Sequence, residues 1–123
     1  KSTYFSPDGK RGVTCCNDNT AHLWDAESGA EIAVLKGHTS DVFAAYFSPD
    51  GKRLVTGSDD GTARLWDAES GAEITVLKGH TSRVCAASFS LDGKLVVTGS
   101  TDNTARLWDA DSGAEIAILK GHT

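Results

Sequence analysis

The sequence predicts an all-β chain made of three copies of one four-stranded antiparallel unit. Two observations carry that prediction. First, the chain repeats itself at a spacing of 42 residues. Second, each repeat holds short apolar or alternating segments separated by turn residues, and none has the length or period of a helix. The stretch from Gly37-His38 to Trp66-Asp67 contains Phe47-Ser-Pro-Asp-Gly51 and Leu54-Val-Thr-Gly-Ser-Asp-Asp60. Moving forward by 42 residues returns Gly79-His80, Phe89, Asp92-Gly93, Thr98-Gly-Ser100 and Trp108-Asp109. Moving back returns Phe5-Ser-Pro-Asp-Gly9, Thr14, Asp18 and Trp24-Asp25. A repeating unit of this size rarely buries its apolar face alone, so the way the copies stack decides the architecture.

The units divide the chain at 1–39, 40–81 and 82–123. The first begins late: Lys1-Ser-Thr-Tyr-Phe5 aligns with Phe43 to Phe47, and nothing matches Ser40-Asp-Val42. In the second unit, Val42 to Phe47 reads as a first strand, small and apolar where strands crowd. Ser48-Pro-Asp-Gly-Lys52 follows as a turn, since Pro fixes φ and Gly tolerates φ > 0. Arg53 to Ser58 is the second strand. Asp60-Gly61 is expected to form a two-residue hairpin turn of type I′, with Asp18-Asn19 and Asp102-Asn103 in its place elsewhere. Thr62 to Trp66 alternates as a third strand. Asp67 to Glu73 is a polar, glycine-containing loop, and Ile74 to Leu77 is the last strand. Tight turns between consecutive strands predict an antiparallel meander.

Composition narrows the function classes. The chain has 123 residues, 39% hydrophobic and 24% charged, with a formal charge of −5. An acidic surface argues against binding nucleic acid or anionic lipid, because both need basic groups. No apolar run reaches membrane-spanning length and no signal pattern is visible, so no membrane partner is expected. The chain starts at Lys1 without a Met, which leaves room for an upstream piece. Cys15, Cys16 and Cys85 have no CxxC spacing, and neighbours on a strand face opposite ways. They read as ordinary thiols of a reducing cytoplasm. No cofactor is implied. The acidic loop at Asp67-Ala-Glu69 lacks the ligand spacing of an EF-hand and reads as a solvated turn, not a metal site.

The Gly-His and Trp-Asp pairs, with Asp six residues before Trp, resemble the WD-repeat β-propeller family over the whole chain. The resemblance implies that each unit is a four-stranded blade standing radially around a central channel. Blade 1 then spans 1–39 and is truncated at its start, blade 2 spans 40–81 and blade 3 spans 82–123. His38, Thr56, Asp60 and Trp66, repeated as His80, Thr98, Asp102 and Trp108, look at first like a hydrolase triad. A triad does not need a Trp and need not recur in every unit. In the resembled family the set is a structural hydrogen-bond chain running from Trp through Thr and His to Asp. No catalytic residue is therefore assigned, and the chain is not expected to be an enzyme: it has no GxSxG, HExxH or P-loop.

The resemblance also implies that the His enters from the loop before its blade. Blade 1 has Thr14, Asp18 and Trp24 but no preceding Gly-His, while Gly121-His122 has no following blade in this chain. Since propellers close with about four to eight blades, the expectation is a ring completed by other chains, head to tail. His122 would then complete the Thr14, Asp18 and Trp24 set of its neighbour. A homodimer of six blades is favoured over a homotrimer of nine. His22 takes the place of Arg64 and Arg106, and an exposed strand face is expected for it.

In the resembled fold the Gly-His loops and Asp-Gly hairpins share one rim. There the copies differ, at Asn17, Asp41, Phe43, Asp59, Arg83, Cys85 and Thr101, which makes these the candidate partner-binding residues. The opposite rim is nearly constant, and copies two and three agree at roughly three quarters of positions. The leading reading is a non-catalytic scaffold for an unknown protein partner. The alternatives are a small-ligand or glycan-binding propeller, and a non-functional fragment of a larger repeat protein.

Overall fold

The computed structural model describes residues 3–15 and 19–120. Twelve strands are found among them, and no helix. The first sheet holds β1 (Thr3–Phe5), β2 (Arg11–Cys15), β3 (Ala21–Asp25) and β4 (Glu31–Leu35). The second holds β5 (Val42–Phe47), β6 (Arg53–Ser58), β7 (Ala63–Asp67) and β8 (Glu73–Leu77). The third holds β9 (Val84–Phe89), β10 (Leu95–Ser100), β11 (Thr104–Asp109) and β12 (Glu115–Lys120). Each sheet is an antiparallel meander in chain order, so the chain forms three blades.

The strand register puts equivalent residues in equivalent places. Arg11 pairs with Asp25, Arg53 with Asp67 and Leu95 with Asp109. Between the third and fourth strands of every blade the register slips just before the Trp, a bulge that lets the ring turn into the sheet junction.

The turns follow from their sequences. In the Ser-Pro-Asp-Gly turn, Gly51 has φ 72° and donates its N–H to Ser48 O at 2.9 Å. The Ser48 hydroxyl is fixed by Asp50 at 2.6 Å. The hairpin at Asp60-Gly61 differs from the two-residue type I′ turn expected. Type I′ needs positive φ at both central residues, yet Gly61 has φ 84° and Asp60 is not in the left-handed region. Gly61 N–H bonds Ser58 O, and Ser58 N–H bonds Thr62 O. This is a three-residue loop, a turn over Asp59 and Asp60 closed by a left-handed residue. Asn103 does the same at φ 71°. The cause is the Asp60 side chain, which must reach Thr62 and the loop that enters its own blade from β4 instead of capping a tighter turn.

Two apolar clusters fill the spaces between blades. Val13, Cys15, Ala21, Leu35, Val42, Ala45, Leu54 and Trp66 join blades 1 and 2, with Tyr4 and Phe47 against them. Val55, Leu65, Leu77, Val84, Val96 and Trp108 join blades 2 and 3, with Phe89 against them. Blade 2 is therefore covered on both faces, and β6 is buried at every position after Arg53. At Gly57 the approach is close enough to exclude a side chain: a Cβ there would meet Val84 Cγ1 at 2.9 Å and Val84 O at 3.2 Å. At Gly99 the nearest atom would be Ala86 Cβ at 3.7 Å, an ordinary contact. Gly57→Ala should therefore cost about 1–3 kcal/mol by forcing blades 2 and 3 apart, while Gly99→Ala should stay within about 0.5 kcal/mol of the parent. Urea unfolding of the two variants compares them directly.

Candidate functional site

The Trp side chains reach the Thr hydroxyls across the middle strand pair, because Trp66 stands next to Leu54 in register and Thr56 lies two residues further along β6. Trp66 Nε1–H donates to Thr56 Oγ1 at 2.9 Å. Thr56 Oγ1 is 2.7 Å from His38 Nε2, and His38 Nδ1 is 3.0 Å from Asp60 Oδ2. Blade 3 repeats the geometry, with Trp108 to Thr98 at 2.8 Å, Thr98 to His80 at 2.7 Å and His80 to Asp102 at 3.0 Å. In blade 1, Trp24 Nε1–H donates to Thr14 at 3.1 Å. Asp18 and His122 lie outside the described residues.

These distances admit one assignment in which every group is used. The Trp N–H donates to Thr56, the Thr56 O–H donates to a neutral His38 at Nε2, and His38 Nδ1–H donates to Asp60. A protonated imidazole would offer a donor where Thr56 needs an acceptor. Burial lowers the His38 pKa, outweighing the raising effect of Asp60. Burial by itself would raise the Asp60 carboxyl, but N–H and O–H donors from Thr62, Thr39 and His38 bring it down to about 2. The same balance lowers Asp102.

The four-residue set understates the site. Thr62 O–H donates to Asp60 Oδ1 at 2.6 Å, and Thr39 N–H to Asp60 Oδ2 at 2.9 Å. Below the Gly-His turn, Arg64 Nη1 pairs with Glu73 at 2.6 Å, and a Cβ on Gly37 would sit 2.8 Å from that carboxylate and 2.9 Å from the guanidinium. The Gly of the Gly-His pair is therefore required by this ion pair as well as by its φ of 152°. Arg106 and Glu115 repeat the arrangement under Gly79. The signal was present in the sequence as an Arg and Glu nine residues apart in two copies. His22 belongs to this series, contrary to the exposed position expected. Its side chain is 22% exposed, its ring stacks on Trp24 at 6.0 Å, and its Nδ1 lies 2.7 Å from Glu31.

On the opposite rim, Asp67 Oδ1 accepts the N–H groups of Glu69 and Ser70. Its lone pairs hold the loop. Among the described residues no His, Cys, Asp or Glu group is arranged to hold a metal ion.

The variable rim divides into two groups. Phe43, Asp59 and Arg83 come together across the boundary of blades 2 and 3. Arg83 lies over the Phe43 ring at 4.4 Å and its Nε donates to Asp59 at 2.9 Å. Asp41 contributes its carbonyl to the Asp59 N–H at 2.9 Å. Thr101 bonds Ser82 at 2.7 Å, and the Cys85 thiol, exposed, lies 3.6 Å from Gly99 O. Asn17 lies outside the described residues.

The chain matches the family model for the WD domain, G-beta repeat, over residues 1–25, 29–67 and 71–109. It belongs to the WD40 repeat family. No curated protein matches the chain. The segment 29–67 contains β4 of blade 1 and β5 to β7 of blade 2, so each WD40 repeat runs one strand out of phase with the sheets. The His side chains sit on that crossing, which is why they tie neighbouring blades.

Replacing Thr56 with Val keeps the shape and leaves the Trp66 N–H and the His38 nitrogen unpaired. Each buried unpaired group costs about 1–3 kcal/mol, so Thr56→Val should destabilise by about 2–4 kcal/mol in chemical denaturation, more than Thr14→Val. The protonation states also fix the acid response. His38 has a folded pKa below its ordinary 6.5 and Asp60 a folded pKa of about 2 against 3.8. Unfolded chains therefore bind more protons in both windows, and stability is lost as the pH is lowered. The urea midpoint should drop as pH falls below 6.5, and drop again from about pH 4 toward pH 2. In His38→Gln the first step should shrink and the second persist.

Proposed function

We propose that this WD40 chain is a non-catalytic interaction scaffold whose outer blades join head to tail with other copies to close a propeller. WD40 repeat proteins in general mediate protein–protein contacts, and the blades of this chain belong to that class. The observation that supports closure in trans is the contrast between covered and uncovered copies of one residue. Leu35 and Leu77 are 0% exposed, each under the next blade, whereas Leu119 is 46% exposed. On the other flank Phe5 is 64% exposed, while Phe47 and Phe89 pack into junctions. A hollow of about 350 Å³ lined by Phe5, Gly12, Thr14 and Trp24 lies open on blade 1. The faces correspond to the two sides of the internal junctions, so a second copy supplies what each one needs. Covering a large apolar side chain gains about 1.5–3 kcal/mol.

A closed ring follows when the rotation between copies closes. Two copies give six blades, the arrangement we favour, and three give nine. In this reading His122 enters beside Thr14 and Trp24 of the neighbour. The rim cluster of Phe43, Asp59 and Arg83, with Cys85 and Thr101 beside it, offers the surface for a further protein partner. An exposed thiol at Cys85 suits a reducing, cytoplasmic setting.

Light scattering over a dilution series tests closure. The expected result is a discrete dimer that dissociates on dilution, and a discrete trimer would move the ring to nine blades. A folded monomer at all concentrations, or polydisperse aggregate, overturns it and favours a piece of a longer propeller. His122→Ala should weaken the assembly more than His22→Ala does; equal effects would remove His122 from the junction.

A further inference from the structure

The internal junctions share a latch at the Ser-Pro-Asp-Gly corner. Arg11 Nη1 of blade 1 donates to Ala68 O of blade 2 at 3.2 Å. Arg53 of blade 2 does more to blade 3: Nη1 donates to Ala110 O and Asp111 at 3.0 Å each, and Nη2 donates to Gly93 O at 3.1 Å. Its guanidinium also stands over the Phe89 ring at 6.0 Å. The prolines flank the same corner. A Cβ on Gly51 would lie 3.9 Å from Pro7 Cδ, and one on Gly93 would lie 3.8 Å from Pro49 Cδ.

Blade 3 departs from both residues at once. Leu95 stands where Arg11 and Arg53 stand in register, and Leu91 stands where Pro7 and Pro49 do. Val96 is buried toward blade 2, so Leu95 faces the open side, and Leu91 is 97% exposed. The groups that meet the latch on blades 2 and 3 also have uncovered counterparts on blade 1. Ala26 is exposed where Ala68 and Ala110 are fully buried, no heavy atom lies within 4 Å of a Cβ on Gly9, and the ring matching Phe89 is Phe5. A fully exposed leucine beside a second one, opposite an exposed phenylalanine, is an apolar contact lacking its other half.

We infer that Leu91 and Leu95 of one copy close over Phe5 of the next, an apolar latch that replaces the arginine latch at the seam between chains. The inference rests on head-to-tail closure and adds the chemistry of the seam. Leu95 leaves the Ala26 carbonyl to solvent, where the internal junctions give it an arginine donor. The seam is thus held by area removed from water, and the internal junctions by area and charge together.

The test is the dissociation constant of the assembled chain, read by sedimentation or light scattering at 0.15 and 1 M NaCl. Leu91→Asp is the primary variant, since a fully exposed turn residue has no part in folding the blade. It should weaken assembly about tenfold, as should Leu95→Asp and Phe5→Ser. The pair Leu95→Asp with Phe5→Ser should weaken it less than the product of the single effects. High salt should leave the parent's dissociation constant unchanged or lower it. An assembling parent whose constant moves less than twofold in Leu91→Asp and Leu95→Asp overturns the latch and leaves closure standing. So does a parent that salt dissociates. A parent that never assembles overturns closure, and the latch with it.

Discussion

The Thr56 hydroxyl is the point on which the blade depends. It has one proton to give and lone pairs to accept with, and both are taken: Trp66 donates to it and His38 receives from it. Three separate stretches meet there, namely β6, β7 and the loop arriving from β4 of the preceding blade. The link is short-range in space and long-range in sequence, spanning 18 residues to His38 and 10 to Trp66. A hydrogen bond adds little net energy when water is the alternative, but here burial removes water, so an unpaired partner bears the desolvation cost alone. The chain therefore specifies one packing of neighbouring blades more than it adds bulk stability.

The charge arrangement serves the same end. Asp60 is kept ionised by four donors, and an ionised Asp60 fixes the Nδ1–H tautomer of His38. That tautomer leaves Nε2 as the acceptor Thr56 requires. A histidine hydrogen-bonded to a carboxylate and a hydroxyl resembles catalytic machinery, but here the hydroxyl is 0% exposed and already bonded to an indole. No substrate can approach it.

Much of this was legible in the sequence, because repetition reports structure. A residue type returning every 42 positions with its neighbours is under the same local demand each time. The strands, the Ser-Pro-Asp-Gly turns and the recurrence of the Trp, Thr, His and Asp are readable on that ground, while the order of the hydrogen bonds among them follows from the family resemblance. What escaped was of two kinds. The dipeptide at Asp60-Gly61 favours a two-residue turn, whereas the demand on the Asp60 side chain, a tertiary contact, selects a longer loop. The Arg64–Glu73 pair escapes because its partners lie on adjacent strands, so their nine-residue spacing signals a contact only once the strand register is known. The half-buried place of His22 escapes for the same reason. Alternation marks a face as different from its opposite, but it cannot say whether another layer follows.

That last point governs the whole molecule. The second strands of blades 2 and 3 read Leu54-Val-Thr-Gly-Ser58 and Val96-Val-Thr-Gly-Ser100, nearly the same words, yet β6 is buried throughout its interior and β10 alternates. The difference lies in the neighbour, which blade 2 has on both sides and blade 3 on one. Val97 and Leu119 are thus residues suited to a covered face that this chain does not cover by itself. Blade 1 carries the complementary departure: Gly12 replaces the Leu54 of blade 2, its face is hollow, and Phe5 has folded toward the space, 3.6 Å from where a Gly12 Cβ would stand. At the open faces Leu119 and Phe5 keep the residue of the internal junctions, whereas Gly12, Leu91 and Leu95 depart from it. Drift at exposed positions would favour polar residues there, but Leu91 and Leu95 replace a proline and an arginine with apolar side chains. Apolar substitution at this corner, with an exposed ring on the other flank, leaves the chain two apolar surfaces that its own blades do not cover.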